Sequence, residues 1–501
     1  MNIDGNATLS YSKVFAEKHQ VYAGFDYSIS QRKNHFYEFT VEGFSDEKLD
    51  FLSNALQYEK NGVPKGTEEL SRRIGFTGNV NYIYDNRYFA DFSYRVDGSS
   101  LFGTKNKFAP FWSAGIGWNV HNESFLRDHR VVNTLRVRGS YGETGSQQFS
   151  SYQALSTFNY YTGKRYIIWN GAELMGLGNE KLKWQVTKQI NGGVEVGLFD
   201  NRVSASFDIY NKKTSNLLSQ MDLPLANGFS SFVDNVGEVK NVGYEVMLSG
   251  YLMRNTQQEI MWSVTTKLAY NKDEITKLSA AIKRQTELYK AQDVDVNQLL
   301  YEGYSKNSIW AVPSLGIDPS TGAEIFLDKN GNITEKWNPS DKRYFGVSEP
   351  KYRGNLSSLF SWKELSVNLS FAFQWGGQQY NETLLSKVEV TDATINKNNV
   401  DKRVYKNRWQ KAGDIKEFKG YGSSKTRSSS RFVMDDKVFQ FQSASVQYRW
   451  HSDYLLKKWS IETINIGANM SDIFYISSIK RERGTSYPFA RRVALTLSLM
   501  F

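Results

Sequence analysis

The chain has 501 residues, carries a formal net charge of +10 and contains no cysteine. The lack of cysteine excludes a disulfide scaffold, a thiolate metal site and a cysteine nucleophile. The mean hydropathy is −0.53, and no segment of the sequence offers the ~18–20 consecutive apolar residues of a transmembrane helix. Aromatic residues make up 15% of the chain and only 8 residues are proline, which suits a sheet protein whose backbone N–H groups are paired.

The first residues, 1–5, have neither the basic region nor the apolar region of a signal peptide. Apolar and polar residues alternate by Thr8, and such alternation is typical of a strand. We therefore expect the chain to begin inside a larger β-structure.

Strict alternation recurs along the whole chain and predicts fifteen strands. The last of them places Val493, Leu495, Leu497, Leu499 and Phe501 on one face, because side chains alternate along a strand. So many long alternating segments favour a transmembrane antiparallel β-barrel, with apolar residues facing lipid and small polar ones facing a lumen. The predicted strands cover roughly 5–15, 18–30, 71–84, 87–98, 107–119, 133–143, 184–198, 202–213, 237–251, 258–271, 351–362, 365–376, 437–450, 461–472 and 490–501.

Short and long connectors alternate between these strands. Outer-membrane barrels have short periplasmic turns and long extracellular loops, and a periplasmic C-terminus would place every short connector on that side. Within 272–350, the segment 315–326 predicts a hairpin that belongs either to a loop or to the barrel wall, and 272–296 has room for a short helix. The short connectors are 85–86, 200–201, 252–257 and 363–364, and the long ones are 31–70, 144–183, 214–236, 272–350 and 377–436.

Five motifs stand in a fixed order along the chain. They are RVDGSSLFG at 95–103 followed by FWSAGIGW at 111–118, LRVRGSYGETG at 135–145, LGNEKLKW at 177–184, YNKKTSNLL at 210–218, and NVGEVKNVGYE at 235–245. Together they resemble the signature of SusC/RagA-type TonB-dependent transporters. Two positions depart from it, since Gly139 replaces the usual alanine and Gln185 the common glutamate.

The resemblance implies an outer-membrane barrel of 22 strands, of which this chain would supply about 15–17 as the C-terminal portion. The signal peptide, the carboxypeptidase-like domain, the TonB box and the plug of such transporters are not recognisable in 1–501. The implied function is uptake of oligosaccharides or peptides across the outer membrane of a Bacteroidota-type bacterium, without a cofactor. A siderophore or vitamin receptor is the alternative, and a soluble β-rich carbohydrate-active surface protein is a weaker one.

The implied partners are a SusD-like lipoprotein that covers the barrel, and TonB–ExbB–ExbD acting through the missing N-terminal part. Outer-membrane lipid or lipopolysaccharide would surround the wall, and the barrel-assembly machinery would read the C-terminal signal of Leu497, Leu499 and Phe501. The basic segment 401–432 is interpreted mainly as a solvated loop, with contact to lipopolysaccharide or an acidic ligand as the sharper alternative. No nucleic-acid-binding module accompanies it.

Candidate ligand-contacting residues fall into two groups. Arg136 and Arg138 share a predicted lumen face, where ion pairing within the wall is favoured over contact with a ligand or plug. Aromatic residues in long loops are candidates for stacking on sugars, whereas tryptophans near strand ends suit an interface girdle. The loop aromatics are Tyr160, Tyr161, Trp169 and Trp310, and the girdle tryptophans are Trp112, Trp118, Trp262, Trp362, Trp375 and Trp450.

Catalytic and metal chemistry find little support in the sequence. The five histidines form no metal-binding spacing, and no nucleophile elbow or phosphate-binding loop is found. The segment 328–332 resembles the start of a calcium loop but lacks its closing glutamate. Asp435 and Asp436 are adjacent, and adjacent strand residues point to opposite faces. We therefore expect neither an enzyme nor a metal site.

Overall fold

A computed structural model describes residues 2–62, 65–103, 106–127, 129–147, 151–223, 226, 228–229, 231–291, 299–390, 401–422, 425–480 and 491–501. The strands are β1 Asn2–Phe15, β2 His19–Glu38, β3 Val41–Glu42, β4 Gln57–Tyr58, β5 Lys65–Tyr84, β6 Tyr88–Ser99, β7 Phe108–Asn119, β8 Val132–Ser146, β9 Thr157–Tyr166, β10 Trp169–Gly176, β11 Gln185–Leu198, β12 Val203–Asp222, β13 Ser231–Asn255, β14 Ile260–Leu278, β15 Ser308–Ala311, β16 Ser314–Ile317, β17 Glu324–Leu327, β18 Ile333–Thr334, β19 Arg343–Val347, β20 Tyr352–Trp362, β21 Leu365–Tyr380, β22 Val433–His451, β23 Thr463–Ser477 and β24 Arg492–Met500. The α-helices are α1 Ala280–Ala291, α2 Lys402–Asn407 and α3 Asp453–Trp459. Single turns of 3₁₀-helix lie at Leu52–Asn54, Val120–Asn122, Pro339–Asp341 and Ser430–Phe432, and a π-helical turn at Leu384–Val388.

Fifteen of the strands form one sheet, in the order β1-β2-β5-β6-β7-β8-β11-β12-β13-β14-β20-β21-β22-β23-β24. Each corresponds to one of the fifteen predicted strands, so the alternation identified all of them. Neighbours in the sheet follow one another along the chain apart from short strands inserted in connectors. No helix among the described residues is long and apolar enough to cross a membrane.

Several strands are much longer than predicted, β2 and β5 among them. β2 and β5 stay paired from Arg32 opposite Ser71 out to Glu38 opposite Lys65, in a region that the sequence assigned to a loop. Polar side chains stand on both faces of this extension, as in the pair between Lys33 Nζ and Glu68 Oε1 at 3.1 Å, and the neighbouring aromatics Phe36 and Tyr37 fall on opposite faces. The alternation signal therefore disappears, although the backbone ladder continues.

The predicted tight turns are confirmed. Asp85 and Asn86 both have positive φ, at 51° and 53°, as do Asp200 and Asn201, each at 55°. Two consecutive residues in the left-handed region form the type I′ turn, whose twist matches that of a hairpin. Asparagine and aspartate tolerate this conformation better than other non-glycine residues. The Asp-Asn pairs at 85–86 and 200–201 therefore favour a tight turn at the end of the preceding strand.

An aromatic row crosses four strands of the sheet. Tyr244, Tyr270, Tyr352 and Trp375 are register partners in turn, and successive ring centroids are 5.1, 5.0 and 5.0 Å apart. We call the side of the sheet that carries this row the apolar face, and the opposite side the polar face.

A second set of aromatics, which includes Trp362, lies on the apolar face at the end of the sheet where the short turns are. Trp362 lies ten residues after Tyr352 on β20, with side chains on the same face because the separation is even. Ten residues span about 33 Å along a strand, which a tilt near 45° reduces to roughly the 25 Å apolar band of an outer-membrane barrel. The two sets are thus spaced as interface girdles are.

The chain divides into two compact units. The first comprises Met1–Ile116, Ser140–Lys188 and Thr214–Val236, and the second Gly117–Gly139, Gln189–Lys213 and Gly237–Phe501. In the first unit the buried core contains Phe102, Phe111, Ala154, Leu182 and Trp184. A core in the second unit contains Val388, Val404 and Phe418.

The predicted hairpin in 315–326 is present and belongs to a loop. β16, β17 and β18 form a three-stranded sheet of their own, with Ile317 opposite Glu324, so this segment adds nothing to the fifteen-stranded sheet. The helix expected within 272–296 is α1, and residues 292–296 lie outside the described part of the chain.

Candidate functional site

The polar face of the second unit carries charges of both signs around an open cavity. Glu245 lies opposite Ala269, which lies opposite Arg353, while Lys267 lies opposite Asn355. These side chains, with Asp208 from β12, line a cavity of about 540 Å³. A sheet side of this kind is wetted rather than lipid-facing, because Arg or Lys facing mid-bilayer lipid costs about 2–4 kcal/mol.

Arg136 and Arg138, both predicted for this face, form ion pairs. Arg138 Nη2 lies 2.6 Å from Asp208 Oδ1. Arg136 Nε donates to Asn119 Oδ1 at 2.8 Å, and its Nη1 lies 3.7 Å from Glu195 Oε2. The favoured interpretation of pairing within the wall therefore agrees with the structure, while contact of these arginines with a ligand stays a prediction.

Residues of four of the five motifs meet in the core of the first unit. The Asn235 side chain accepts from the Lys183 N–H at 2.9 Å and donates to the carbonyls of Lys183 and Asn216 at 3.1 and 2.8 Å. The Asn179 amide donates to the Val233 carbonyl at 2.9 Å and to Asp234 Oδ1 at 3.0 Å. The motif asparagines thus tie β-strand ends together and satisfy backbone groups that the ladder leaves unpaired.

Aromatic and glycine residues of the motifs complete this core. The Trp184 ring stacks on Phe102 with centroids 4.5 Å apart, and its indole N–H donates to the Asn106 carbonyl at 3.0 Å. A Cβ on Gly103 would overlap the backbone carbonyl of Glu180, so only glycine allows these segments to approach. These motif residues therefore pack the core of the first unit.

Three of the four predicted sugar-stacking aromatics lie on one hairpin, β9–β10, which is a two-stranded sheet separate from the large one. Tyr160 and Trp169 are 65% and 70% exposed. Tyr161 donates its hydroxyl to Glu173 Oε2 at 2.9 Å, and that hydrogen bond raises the pKa of the Tyr161 phenol. The exposed rings are available to a ligand, but binding by them stays a prediction.

Trp310, the fourth predicted aromatic, offers no free ring face. It lies on β15, is 9% exposed, and packs against Tyr301, Tyr304 and Tyr344 with centroids 4.7, 5.1 and 5.9 Å away. The place of Trp310 in a long loop predicts an accessible ring, but this loop has a packed interior of its own, in which the ring is buried. The expectation of an accessible stacking ring at this position is corrected accordingly.

The basic segment 401–432 is not simply a solvated loop. Arg408 and Lys419 are 1% and 3% exposed, and the Arg431 side chain is 15% exposed. Arg431 lies between the buried carboxylates of Glu324 and Glu389, and Ser429 donates to Glu324 Oε1 at 2.5 Å. We call Glu324, Glu389, Arg408, Lys419 and Arg431 the buried charge cluster. The interpretation of 401–432 as a solvated loop is wrong for the three basic members of this cluster.

The pKa values of the basic groups in this cluster are shifted in opposite directions. Desolvation lowers the pKa of Arg408 and of Lys419. For Arg431 desolvation acts the same way, but hydrogen bonding and attraction from Glu389 and Glu324 outweigh it and raise its pKa. Arg408 remains a cation packed over the Tyr421 ring, 4.1 Å from the centroid.

The two longest connectors of the second unit are held together around this cluster. The Ser430 N–H donates to the Val312 carbonyl at 2.9 Å. The indole N–H of Trp337 donates to the Ser428 carbonyl at 2.8 Å, and that of Trp409 donates to the Pro319 carbonyl at 2.9 Å. The β14–β20 and β21–β22 connectors therefore form one packed element, which we call the loop module.

The calcium-like segment is a turn in this module. Asp328 Oδ1 accepts from the N–H groups of Asn330 and Asn332, each at 2.8 Å. Hydrogen bonds from Asn332 are the main reason that the pKa of Asp328 is lowered. The carboxylate is thus engaged by its own turn.

Residues 2–469 match the family described as TonB dependent receptor-like, beta-barrel. The chain belongs to this family. The predicted transmembrane antiparallel barrel fold and the predicted TonB-dependent receptor family are thereby confirmed. In such a barrel the apolar face of the sheet meets lipid and the polar face lines the lumen.

Curated relatives agree with this assignment. TonB-dependent receptor P3 of Formosa agariphila is 29% identical over 96% of this chain and 48% of its own length. TonB-dependent receptor SusC of Bacteroides thetaiotaomicron is 25% identical over 85% of this chain and 44% of its own. The chain therefore spans about half the length of the curated relatives it matches.

A solved structure shares the fold. The RagAB peptide importer in the 'open-open' state superimposes with a TM-score of 0.84 at 23% identity, covering 100% of this chain and 54% of that one. The similar proteins are thus receptors and transporters rather than enzymes.

Proposed function

We propose that the complete protein is an outer-membrane importer of oligosaccharides or peptides, energised by TonB–ExbB–ExbD and covered by a SusD-like lipoprotein. The observation that carries the proposal is the family match over 2–469 together with a polar, charge-lined face on the sheet. A lumen of that kind suits a hydrated, polar nutrient. Similarity to TonB-dependent receptor SusC supports the glycan side of the proposal.

The large, ordered loops support a large ligand or lid. The loop module has its own core of Val388, Val404 and Phe418 and its own buried charge cluster. Loops longer than about 15 residues are usually functional or disordered, and this module is internally packed. A stable protein interface buries at least ~1,200 Å² in total, an area that such a platform can present to a lipoprotein.

The exposed rings of Tyr160, Tyr161 and Trp169 are the residues that we propose for sugar contact. They lie on a hairpin outside the wall, where their faces are accessible. A peptide ligand could use the same rings, because aromatic side chains supply large contact area at low conformational cost.

Localisation in the outer membrane is part of the proposal. Val493, Leu495 and Leu497 on β24 are 63%, 80% and 69% exposed, as expected for side chains whose environment is lipid rather than protein. We propose that Leu497, Leu499 and Phe501 also act as the signal that the barrel-assembly machinery reads.

The test is affinity purification of the complete protein from native outer membranes, followed by growth of deletion strains. A SusD-like lipoprotein should co-purify in near-equal amount, and deletion of either gene should stop growth on one glycan or peptide source. Recovery of the protein in the soluble fraction would contradict the proposal. A growth defect confined to iron limitation, with no co-purifying lipoprotein, would favour a siderophore receptor.

A further inference from the structure

The connector between β22 and β23 contains α3, Asp453–Trp459, at the short-turn end of the sheet. This end also holds the turns at Asp200 and Lys363, since antiparallel strands bring alternate connectors to the same side. A hairpin here needs two residues, as between β20 and β21. The additional residues of the β22–β23 connector form the helix.

The helix is amphipathic, and among the described residues Leu455 on its apolar side is half-buried while Leu456 and Trp459 are exposed. At 100° per residue, Leu455, Trp459 and Leu456 fall within an arc of about 100°. Trp459 and Leu456 are 61% and 44% exposed. The polar side carries Asp453, Tyr454, Lys457 and Lys458, and Lys458 Nζ donates to the Tyr454 hydroxyl at 2.9 Å.

Hydrogen bonds cap α3 and hold the ends of its connector to the end of the wall. Ser460 ends the helix in the left-handed conformation, with φ of 55°, and its N–H donates to the Leu455 and Leu456 carbonyls. The His451 ring contacts the Glu462 carbonyl at 2.9 Å, and the Glu462 N–H donates to the Met500 carbonyl at 2.8 Å. The connector that contains the helix is thus held beside the ends of β22, β23 and β24.

The apolar face of β22, β23 and β24 ends close in sequence to α3. Trp450 is opposite Ile464, which is opposite Leu499, so all three lie on one row of the apolar face. Trp450 is the aromatic at the short-turn end of β22 and is 46% exposed. The helix begins three residues after it, so Leu456 and Trp459 follow closely along the chain from the aromatic at the edge of the apolar face.

We propose that α3 is an interfacial helix that lies in the headgroup region of the lipid leaflet at the short-turn end. Leu456 and Trp459 enter the leaflet, and Lys457 and Lys458 face its phosphate groups. Aromatic and leucine residues on one side with lysines on the other are the composition of helices that lie in a bilayer interface. This inference rests on the proposed outer-membrane location and adds a second, helical anchor to the strands.

The lack of cysteine in the 501 residues gives a clean test by single-thiol labelling. The complete receptor would carry one environment-sensitive nitrobenzoxadiazole probe and be reconstituted in phosphatidylethanolamine–phosphatidylglycerol vesicles. The probe positions are Leu456→Cys on the apolar side of α3, Asp453→Cys on its polar side, and Ile466→Cys on the apolar face of β23. The receptor without an added cysteine provides the labelling blank.

A nitroxide at carbon 5 of the acyl chain should quench the Leu456 probe about twofold more than the Asp453 probe, since interfacial helices bury their apolar side about 5–10 Å deep. Iodide in the water should quench them in the reverse order. Strong quenching by lipid at Ile466 with equal, weak quenching at Leu456 and Asp453 would overturn the proposal and leave the outer-membrane location intact. Weak lipid quenching at Ile466 would instead overturn the location itself.

A periplasmic protein is the competing occupant of the same surface. Shielding of the Leu456 probe from iodide in intact outer membranes, but not in the purified vesicles, would identify a protein cover and overturn the proposal. The double variant Lys457→Gln with Lys458→Gln tests the charges, since it should abolish any increase in lipid quenching that phosphatidylglycerol produces. Unchanged dependence on phosphatidylglycerol would overturn the assigned role of the lysines.

Discussion

Arg431 joins two buried carboxylates that belong to different connectors. Its Nη1 lies 2.5 Å from Glu389 Oε2 and its Nη2 lies 3.1 Å from Glu324 Oε2. The Glu389 and Glu324 side chains are 0% and 1% exposed, so neither can turn to water when the arginine is removed. One guanidinium thus fixes the β14–β20 connector against the β21–β22 connector.

The first prediction concerns the ion pairs of Arg431 with Glu324 and Glu389. Arg431→Met should destabilise the loop module by about 3–5 kcal/mol, because breaking a buried pair leaves an uncompensated charge. Hydrogen exchange should accelerate at amides of the module, such as Phe418 and Glu389, while the strands keep their protection. Arg353→Met is the matched control, since its pair with Glu349 is exposed and should contribute no more than about 1 kcal/mol. Equal effects of the two variants would contradict the assignment.

The strands were predictable because their signal is local. In β24, Val493 and Leu495 alternate with Ala494 and Thr496, and no tertiary information is needed to recognise a strand with one apolar side. The extension of β2 past Arg32 lacked that signal, since polar side chains stand on both of its faces and its two aromatics, Phe36 and Tyr37, fall on opposite ones. When both faces of a paired strand are solvated, apolar and polar residues need not alternate along its sequence.

The buried charge cluster was not predictable for the opposite reason. Charge runs are usually solvated, and Arg408 and Arg431 stand in a run of lysines and arginines. Glu324, a partner of Arg431, lies 107 residues before it, so no spacing rule joins the two. The one available clue was that 377–436 is too long for a structureless loop in a compact element.

The second prediction tests the packing role of the motifs. Gly103→Ala should destabilise the first unit by about 1–3 kcal/mol, the usual effect of overpacking, because its Cβ would overlap the Glu180 carbonyl. The temperature at which the folded band is lost in heat-modifiability gels should fall. Gly78→Ala is the control, since its Cβ would meet nothing within 4 Å, and it should behave as the unmodified protein does. A wild-type unfolding temperature for Gly103→Ala would count against the packing role.

The third prediction is a pH dependence at Tyr301. Burial, with the nearby Glu287 carboxylate, raises the pKa of this phenol to about 12, above the ordinary value near 10. The folded state therefore holds a proton that the unfolded chain releases, and the stability of the loop module should be constant below pH ~10 and fall between pH ~10 and ~12. The difference in phenolate absorbance between wild type and Tyr301→Phe should titrate near 12. A midpoint at ~10 would remove the basis for this prediction.

The fourth prediction concerns assembly at the C-terminus. Leu499→Asn and deletion of Phe501 should each lower the amount of heat-modifiable receptor in outer membranes several-fold, because the proposed assembly signal uses the apolar face of β24. Ser498→Ala changes the opposite face of the same strand and should leave that amount unchanged. Total synthesis, measured in whole-cell extracts, should be equal in all three. Full assembly without Phe501 would exclude it from the signal.

The last prediction assigns ligand contact to the β9–β10 hairpin. Trp169→Ala and Tyr160→Ala should each weaken binding of the imported oligosaccharide or peptide by about tenfold, the loss of ~1.4 kcal/mol that is common when an aromatic contact is truncated. Tyr405→Ala is the control, since Tyr405 is 77% exposed but lies on α2, in another connector. Calorimetry on the purified receptor–lipoprotein complex separates binding from transport. If Tyr405→Ala weakens binding while both hairpin variants bind normally, the ligand surface is on the loop module instead, and the hairpin has another role.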